Sequence, residues 1–168
     1  MNIFEKLKHF QKVMPDKQAL VSVNRSVCYA ELAELIELGA SSLYLNGIKP
    51  GDNVGLLIAD ELEHILASLS LLALGARQIT LPSRDSSETH RDIIERTSLN
   101  RIVADQLQID DNWDSGLNYI DWSNMLSGSV KTTIPSSEGM LFINTSGTTT
   151  KSNIILFTET QISHQAAR

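Results

Sequence analysis

Between Val54 and Ala104 the chain alternates short apolar runs with stretches of helical periodicity, and few folds accommodate that alternation. Val54 to Ala59 is apolar at nearly every position but too short for an ordinary helix, so it reads as a strand buried on both faces. Asp60 then stands as a helix cap with Glu63 three residues on, the spacing of a capping box. The helix it opens runs to Leu74 and stops at Gly75. Its second half, Leu69 to Leu74, is apolar almost all round and belongs in the interior. Gln78 to Leu81 reads as a strand closed by Pro82, Asp85 to Thr97 as a polar helix anchored by Ile93 and Ile94, and Arg101 to Ala104 as a further strand. Such an order predicts an α/β fold: a mostly parallel sheet, right-handed crossovers and helices on both faces.

The flanks extend the pattern. Residues 3–13 read as an amphipathic helix with Ile3, Leu7 and Phe10 on one face and Pro15 beyond its end. Ala19 to Val23 and Val27 to Tyr29 read as short strands joined at Asn24-Arg25, adding a first strand to the alternation. Ala30 to Asn46 is the clearest helix. Leu32, Leu35, Ile36, Gly39 and Leu43 form one stripe, and Glu31, Glu34 and Glu37 point away from it. Asn46-Gly47 supplies a left-handed stop, and Lys49-Pro50-Gly51-Asp52 places Pro and Gly where a type II turn needs them. After Asp105 the signal weakens. Asp110 to Asp114 reads as a surface loop, Leu117 to Ile120 as a short strand and Ser123 to Ser137 as linker. Order returns with the apolar run Met140 to Ile143.

Composition narrows the functional classes. A net charge of −6 over 168 residues argues against a general nucleic-acid binder, which needs a basic face. No apolar run is long enough to span a bilayer, and the N-terminus lacks the apolar core of a signal peptide. Cytoplasm is the default location. A single cysteine, Cys28, excludes an internal disulfide framework. Cys28 reads as a structural residue, a weak substitute cap for the following helix. His64 has no second His or Cys at ligand spacing and reads as a surface histidine near a helix start; His9, His90 and His164 are isolated too. Asp110, Asp111 and Asp114 lack the glycine and terminal glutamate of a calcium loop. No metal site and no catalytic residue is assigned. Trp113 and Trp122 either fasten the weakly patterned stretch to the domain or line a contact with a further segment.

The chemistry concentrates in Asn144-Thr145-Ser146-Gly147-Thr148-Thr149-Thr150-Lys151-Ser152-Asn153. Five hydroxyl side chains flank one glycine, a lysine follows, and apolar runs lead in and out. Clustered hydroxyl and N–H donors, a flexible φ and a cation are what a triphosphate needs. The Walker pattern does not fit, because Thr145 and Thr150 occupy its glycine positions and the β-like run Ile154 to Phe157 replaces its helix. Thr145-Ser146-Gly147-Thr148-Thr149 instead resembles the signature of the AMP-forming adenylating enzymes, the superfamily of acyl-CoA ligases, nonribosomal peptide synthetase adenylation domains and luciferases. Cys28-Tyr29-Ala30-Glu31-Leu32, Leu45 to Val54 and Ala67 to Leu81 are similar to upstream motifs of the same family, in family order.

The resemblance implies that residues 1–168 are the N-terminal subdomain of an adenylation domain, with a β-hairpin carrying the phosphate loop. It implies ATP-dependent activation of a carboxylic acid to an acyl-adenylate, then acyl transfer to a thiol of CoA or of a carrier-protein phosphopantetheine, with Mg2+ on the phosphates. Thr145, Ser146, Gly147, Thr148 and Thr149 would contact phosphate, with Lys151 as electrostatic partner. The remainder of the domain and a C-terminal lid would be needed for turnover, and the helix ending in Ala166-Ala167-Arg168 reads as interrupted. Thr150, Ser152, Asn153 and Ile154 depart from the family's Gly, Pro, Lys and Gly. Those changes stiffen the loop, remove a point charge and place Ile154 beside the phosphates. They keep open a second reading, a non-catalytic module or pseudo-enzyme acting through protein contacts. Self-association through apolar surface that the remainder of the domain would cover is expected of a truncated subdomain.

Overall fold

The computed structural model describes residues 3–105, 116–128, 131–135, 137–145 and 153–166. In chain order the elements are α1 (Ile3–Val13), β1 (Gln18–Val21), β2 (Ser26–Cys28), α2 (Tyr29–Leu45), β3 (Asn53–Leu57), α3 (Glu61–Leu74), β4 (Arg77–Thr80), α4 (Ser87–Thr97), β5 (Arg101–Ala104), β6 (Asn118–Asp121), β7 (Met140–Thr145), β8 (Asn153–Thr158) and α5 (Glu159–Ala166). Six strands form one sheet in the order β6-β5-β3-β4-β7-β8. The first five run parallel, and β8 closes one edge antiparallel to β7. The sequence expectation of a mostly parallel α/β sheet with an appended hairpin is met.

Strand pleating divides the core into two layers. Val54, Leu56, Val103 and Ile120 face α2 and α3, where Ile36, Leu43, Leu66 and Leu71 are fully buried. Leu57, Ile79, Ile102 and Ala104 point the other way, toward Ile93 and Leu99 at α4. Helices α2 and α3 approach closely because Gly39 has no side chain. A Cβ there would stand 2.3 Å from the Ser70 hydroxyl and 3.0 Å from the Trp122 ring.

The turn chemistry holds. Gly47, Gly51 and Gly75 all take positive φ, and Asp52 N–H donates to the Lys49 carbonyl at 3.0 Å, closing the turn over Pro50-Gly51. Asp60 caps α3 by accepting from Glu63 N–H at 2.9 Å, but the reciprocal half of the capping box is missing. The Glu63 carboxylate accepts instead from the Trp122 indole at 2.8 Å.

Other expectations change. β1 and β2 do not join the main sheet but form a separate antiparallel ribbon, turned by a bond from Ser22 N–H to the Arg25 carbonyl at 2.8 Å. Their apolar content is too thin for a sheet buried on both faces, and Val21 and Val23 stand exposed. Cys28 occupies the N-cap position of α2 with extended backbone, yet its side chain makes no capping bond; it caps by geometry alone. Residues 123–128 and 131–135 are no loose linker. Trp122 and Met125 are buried, Thr132 N–H donates to the Ser41 hydroxyl, and Lys131 reaches Glu37 at 2.7 Å. Glu37 also pairs with Lys8, and these two lysines hold its carboxyl below the usual range, the Lys131 bond foremost. Trp113, Asp110, Asp111 and Asp114 lie outside the described residues. Among the described residues no helix is long and apolar enough to cross a membrane.

Candidate phosphate-loop site

β7 enters the sheet beside β4, with Arg77 opposite Met140 and Ile79 opposite Phe142. Gly139 makes that entry possible. A Cβ at this position would lie 2.6 Å from the Leu72 carbonyl oxygen and 2.7 Å from Leu72 Cα, both backbone atoms that cannot yield. From there β7 and β8 pair without a bulge, from Met140 opposite Thr158 to Thr145 opposite Asn153. β7 runs parallel to β3 and β4, so the connection leaves it at their carboxyl edge. In open α/β sheets that edge is where ligands bind.

Thr145, at the last rung, is half-buried, and its hydroxyl donates to the Asn153 carbonyl at 3.2 Å. This bond ties the two ends of the loop together. Ser146, Gly147, Thr148, Thr149 and Lys151 lie outside the described residues, as do Thr150 and Ser152. Ile154, expected to crowd the phosphates, pairs with Asn144 and turns into the apolar layer with Leu57, Ile79 and Phe142. Its bulk is spent on packing. Between Met140 and Thr158 the sequence has no acidic residue, so nothing in the hairpin's own donor set repels a polyanion.

A cleft of about 600 Å³ opens at the same edge, between the loop after β4 and the face of β7. Thr80, Arg84, Asp85, Phe142 and Asn144 line it, and Arg84 is its one cation among the described residues. Arg84 escaped sequence reasoning because it sits in an aperiodic Pro-Ser-Arg-Asp stretch. The only signal was its place just past the carboxyl end of a strand. His90 fixes this loop, its Nε2 lying 2.8 Å from the Pro82 carbonyl. His64 is not the surface residue its isolation suggested. It is half-buried with Nε2 3.1 Å from the Thr80 hydroxyl. Burial lowers its pKa, opposed by a hydrogen bond with the Ile58 backbone, so the neutral ring is favoured. Among the described residues no three His, Cys, Asp or Glu side chains converge on a point that could hold a metal.

A mostly parallel sheet flanked by helices, with an antiparallel strand at one edge, defines the class, an α/β protein. The particular family follows from comparison. The AMP-binding enzyme family matches residues 7–167, and the chain belongs to it. The delta-poly-L-ornithine synthetase of Acinetobacter baumannii is 30% identical over 166 residues, covering 93% of this chain and 12% of that protein. The oxalate–CoA ligase of Arabidopsis thaliana is 25% identical over 169 residues, covering 86% of this chain and 32% of that protein. Among solved structures, the o-succinylbenzoate CoA synthetase of Bacillus subtilis with its acyl-adenylate intermediate superposes with a TM-score of 0.87 at 19% identity, covering 99% of this chain and 45% of that one. The N-terminal subdomain of Klebsiella oxytoca NpsA with 3-hydroxybenzoyl-AMSN gives 0.82 at 19% identity, covering 94% and 41%. This chain therefore spans less than half the length of each of these proteins.

Proposed function

We propose that this chain is the N-terminal subdomain of an ATP-dependent acid-activating ligase, and that the segment from Thr145 to Lys151 is its phosphate grip. The observation that supports the reading is where the strands flanking that segment stand, paired without a bulge up to Thr145 opposite Asn153 at the carboxyl edge of the sheet, in a chain of the AMP-binding family. A substrate carboxylate attacks the α-phosphorus of ATP. The new bond is carboxyl oxygen to phosphorus, the bond broken is that between the α-phosphorus and the bridging oxygen, and pyrophosphate leaves. A thiol of CoA or of a phosphopantetheine then takes the acyl group and AMP departs. The hydroxyls of Thr145, Ser146, Thr148 and Thr149 and the backbone around Gly147 would hold the β- and γ-phosphates as charge shifts onto them, with Lys151 as counter-charge. Mg2+, carried in on the nucleotide, would neutralise part of that charge. The acid pocket and a lid would come from the remainder of the domain, and a carrier protein is a natural acceptor in relatives of the peptide-synthetase kind.

The test is ATP–pyrophosphate exchange by the full-length protein over a panel of carboxylic acids, beside calorimetric titration of the 168-residue chain with Mg-ATP. Acid-dependent exchange supports the ligase reading. No exchange with any acid, and ATP binding only after Thr150→Gly and Asn153→Lys, would mean a degenerate loop and favour a non-catalytic module. Exchange by the 168-residue chain alone would overturn the assignment of acid pocket and lid to further segments.

A further inference from the structure

Glu159, the first residue of α5, is only 2% exposed, and among the described residues it forms no ion pair. Its carboxylate accepts from Ile3 N–H and hydrogen-bonds the Phe4 backbone, two groups in the first turn of α1. These are orphan donors at the positive end of a helix, the natural place for an anion. A residue far along the chain thus accepts from the first turn of α1. Burial pushes the Glu159 carboxyl up, and the facing acids Glu138 and Glu5 add to that, while the α1 amides oppose it.

What this carboxylate holds is the base of the hairpin whose far end carries the candidate loop. Glu159 follows the last residue of β8, and its own N–H donates to the Gly139 carbonyl at 3.1 Å, just before β7 begins. Around it Glu138 accepts from both Thr160 N–H and the Thr160 hydroxyl, at 3.1 and 2.6 Å. Gly139 rests on the backbone of α3. The base of the hairpin is therefore a junction of α1, α3 and α5. The far rung, Thr145–Asn153, stands about 17 Å away at the usual rise per residue, so a tilt of about 5° at the base shifts the tip by about 1.5 Å. Displacements of that size matter wherever phosphates must be held in register.

We propose that Glu159 is a positioning residue: by capping α1 it locks the base of the hairpin and sets where the phosphate loop stands. The proposal rests on the ligase reading for the loop's role but not for the clamp itself. In the full-length protein, Glu159→Ala should raise the KM for ATP in pyrophosphate exchange by about tenfold while kcat stays within about twofold. Glu159→Gln keeps an acceptor oxygen and should restore most of the loss. Ile3→Pro deletes one donor at the first helical position, where proline is tolerated, and should fall between the two. Hydrogen exchange on the same proteins should show the amides of both α1 and β8 loosened in Glu159→Ala. An unmoved KM, a glutamine variant as impaired as the alanine one, or loosening confined to α1 overturns the proposal. If the wild type exchanges no pyrophosphate, the ligase reading fails, and the paired amide rates still decide the clamp. Should Glu159→Ala not fold, Ile3→Pro carries the same measurements.

Discussion

Gly39 and His64 each show a residue whose role depends on its surroundings. Helical periodicity put Gly39 in the apolar stripe of α2, but only the structure shows that its missing Cβ admits Ser70 from α3. The Ser70 hydroxyl is buried and donates to the Leu66 carbonyl at 2.7 Å, so it cannot rotate away without losing its acceptor. Gly39→Ala should therefore cost about 1–3 kcal/mol by overpacking, despite alanine's better helix propensity, as read in urea denaturation. His64 governs a pH effect. An unfolded chain takes up the imidazole proton near the ordinary value of about 6.5, while the folded chain resists until lower pH. Above that value both states are neutral and His64 contributes nothing. As pH falls below it the unfolded state binds more protons, so stability falls. The raised carboxyl of Glu159 works in the opposite sense, which makes the difference between variants the decisive quantity. His64→Gln should flatten the loss of thermal midpoint between pH 7 and 5.5, and an unchanged slope would remove His64 from the account.

At the scale of elements, α4 separates what local chemistry fixes from what packing fixes. Ser86 accepts from Thr89 N–H at 3.2 Å and caps its start, while Ser98 ends it in the left-handed region at φ 51°. Ser98 is the one non-glycine residue with positive φ among the described residues, and it is exposed. Ser98→Gly should stabilise the protein by roughly 0.5–1 kcal/mol, the relief of left-handed strain outweighing the extra freedom of glycine when unfolded. A lower melting midpoint would show that the serine side chain compensates its own backbone. Elements of this kind were legible because caps, stops and apolar stripes are local. The three central strands, helices α2 to α4 and both hairpins are legible in the sequence. Partnership is not. Nothing in Gln18–Val21 says that it leaves the main sheet, and Trp122, Met125 and Ile134 follow no period because they sit in turns and irregular chain packed against helices. Of the candidate site, the hydroxyl cluster stands out in the sequence, and of that cluster Thr145 lies among the described residues. Arg84, His64 and the Glu159 clamp do not stand out, since each acts through neighbours distant in sequence.

The whole molecule is lopsided. One face of its sheet carries α1, α2 and α3, and the other carries α4 over β3, β4 and β5. Beyond β4 the hairpin projects with apolar residues on both sides: Ile143 and Ile155 exposed on one, Leu156 on the other. β8 is also the sheet's edge and has no charged residue from Asn153 to Thr158, so it lacks the usual guard against edge-to-edge pairing. Those features fit a chain spanning less than half of its relatives, whose further segments would cover the arm. They also predict its behaviour in isolation. The 168-residue chain should self-associate as concentration rises, seen as a drift in sedimentation coefficient, and Ile155→Lys should suppress it by placing a charge on the uncovered face. In the full-length protein the same substitution should instead destabilise, because the lysine would be buried against whatever covers β8. A strictly monomeric 168-residue chain at high concentration would mean that the arm's apolar surface is tolerated in water as it stands. An Ile155→Lys full-length protein as stable as wild type would mean that nothing covers it.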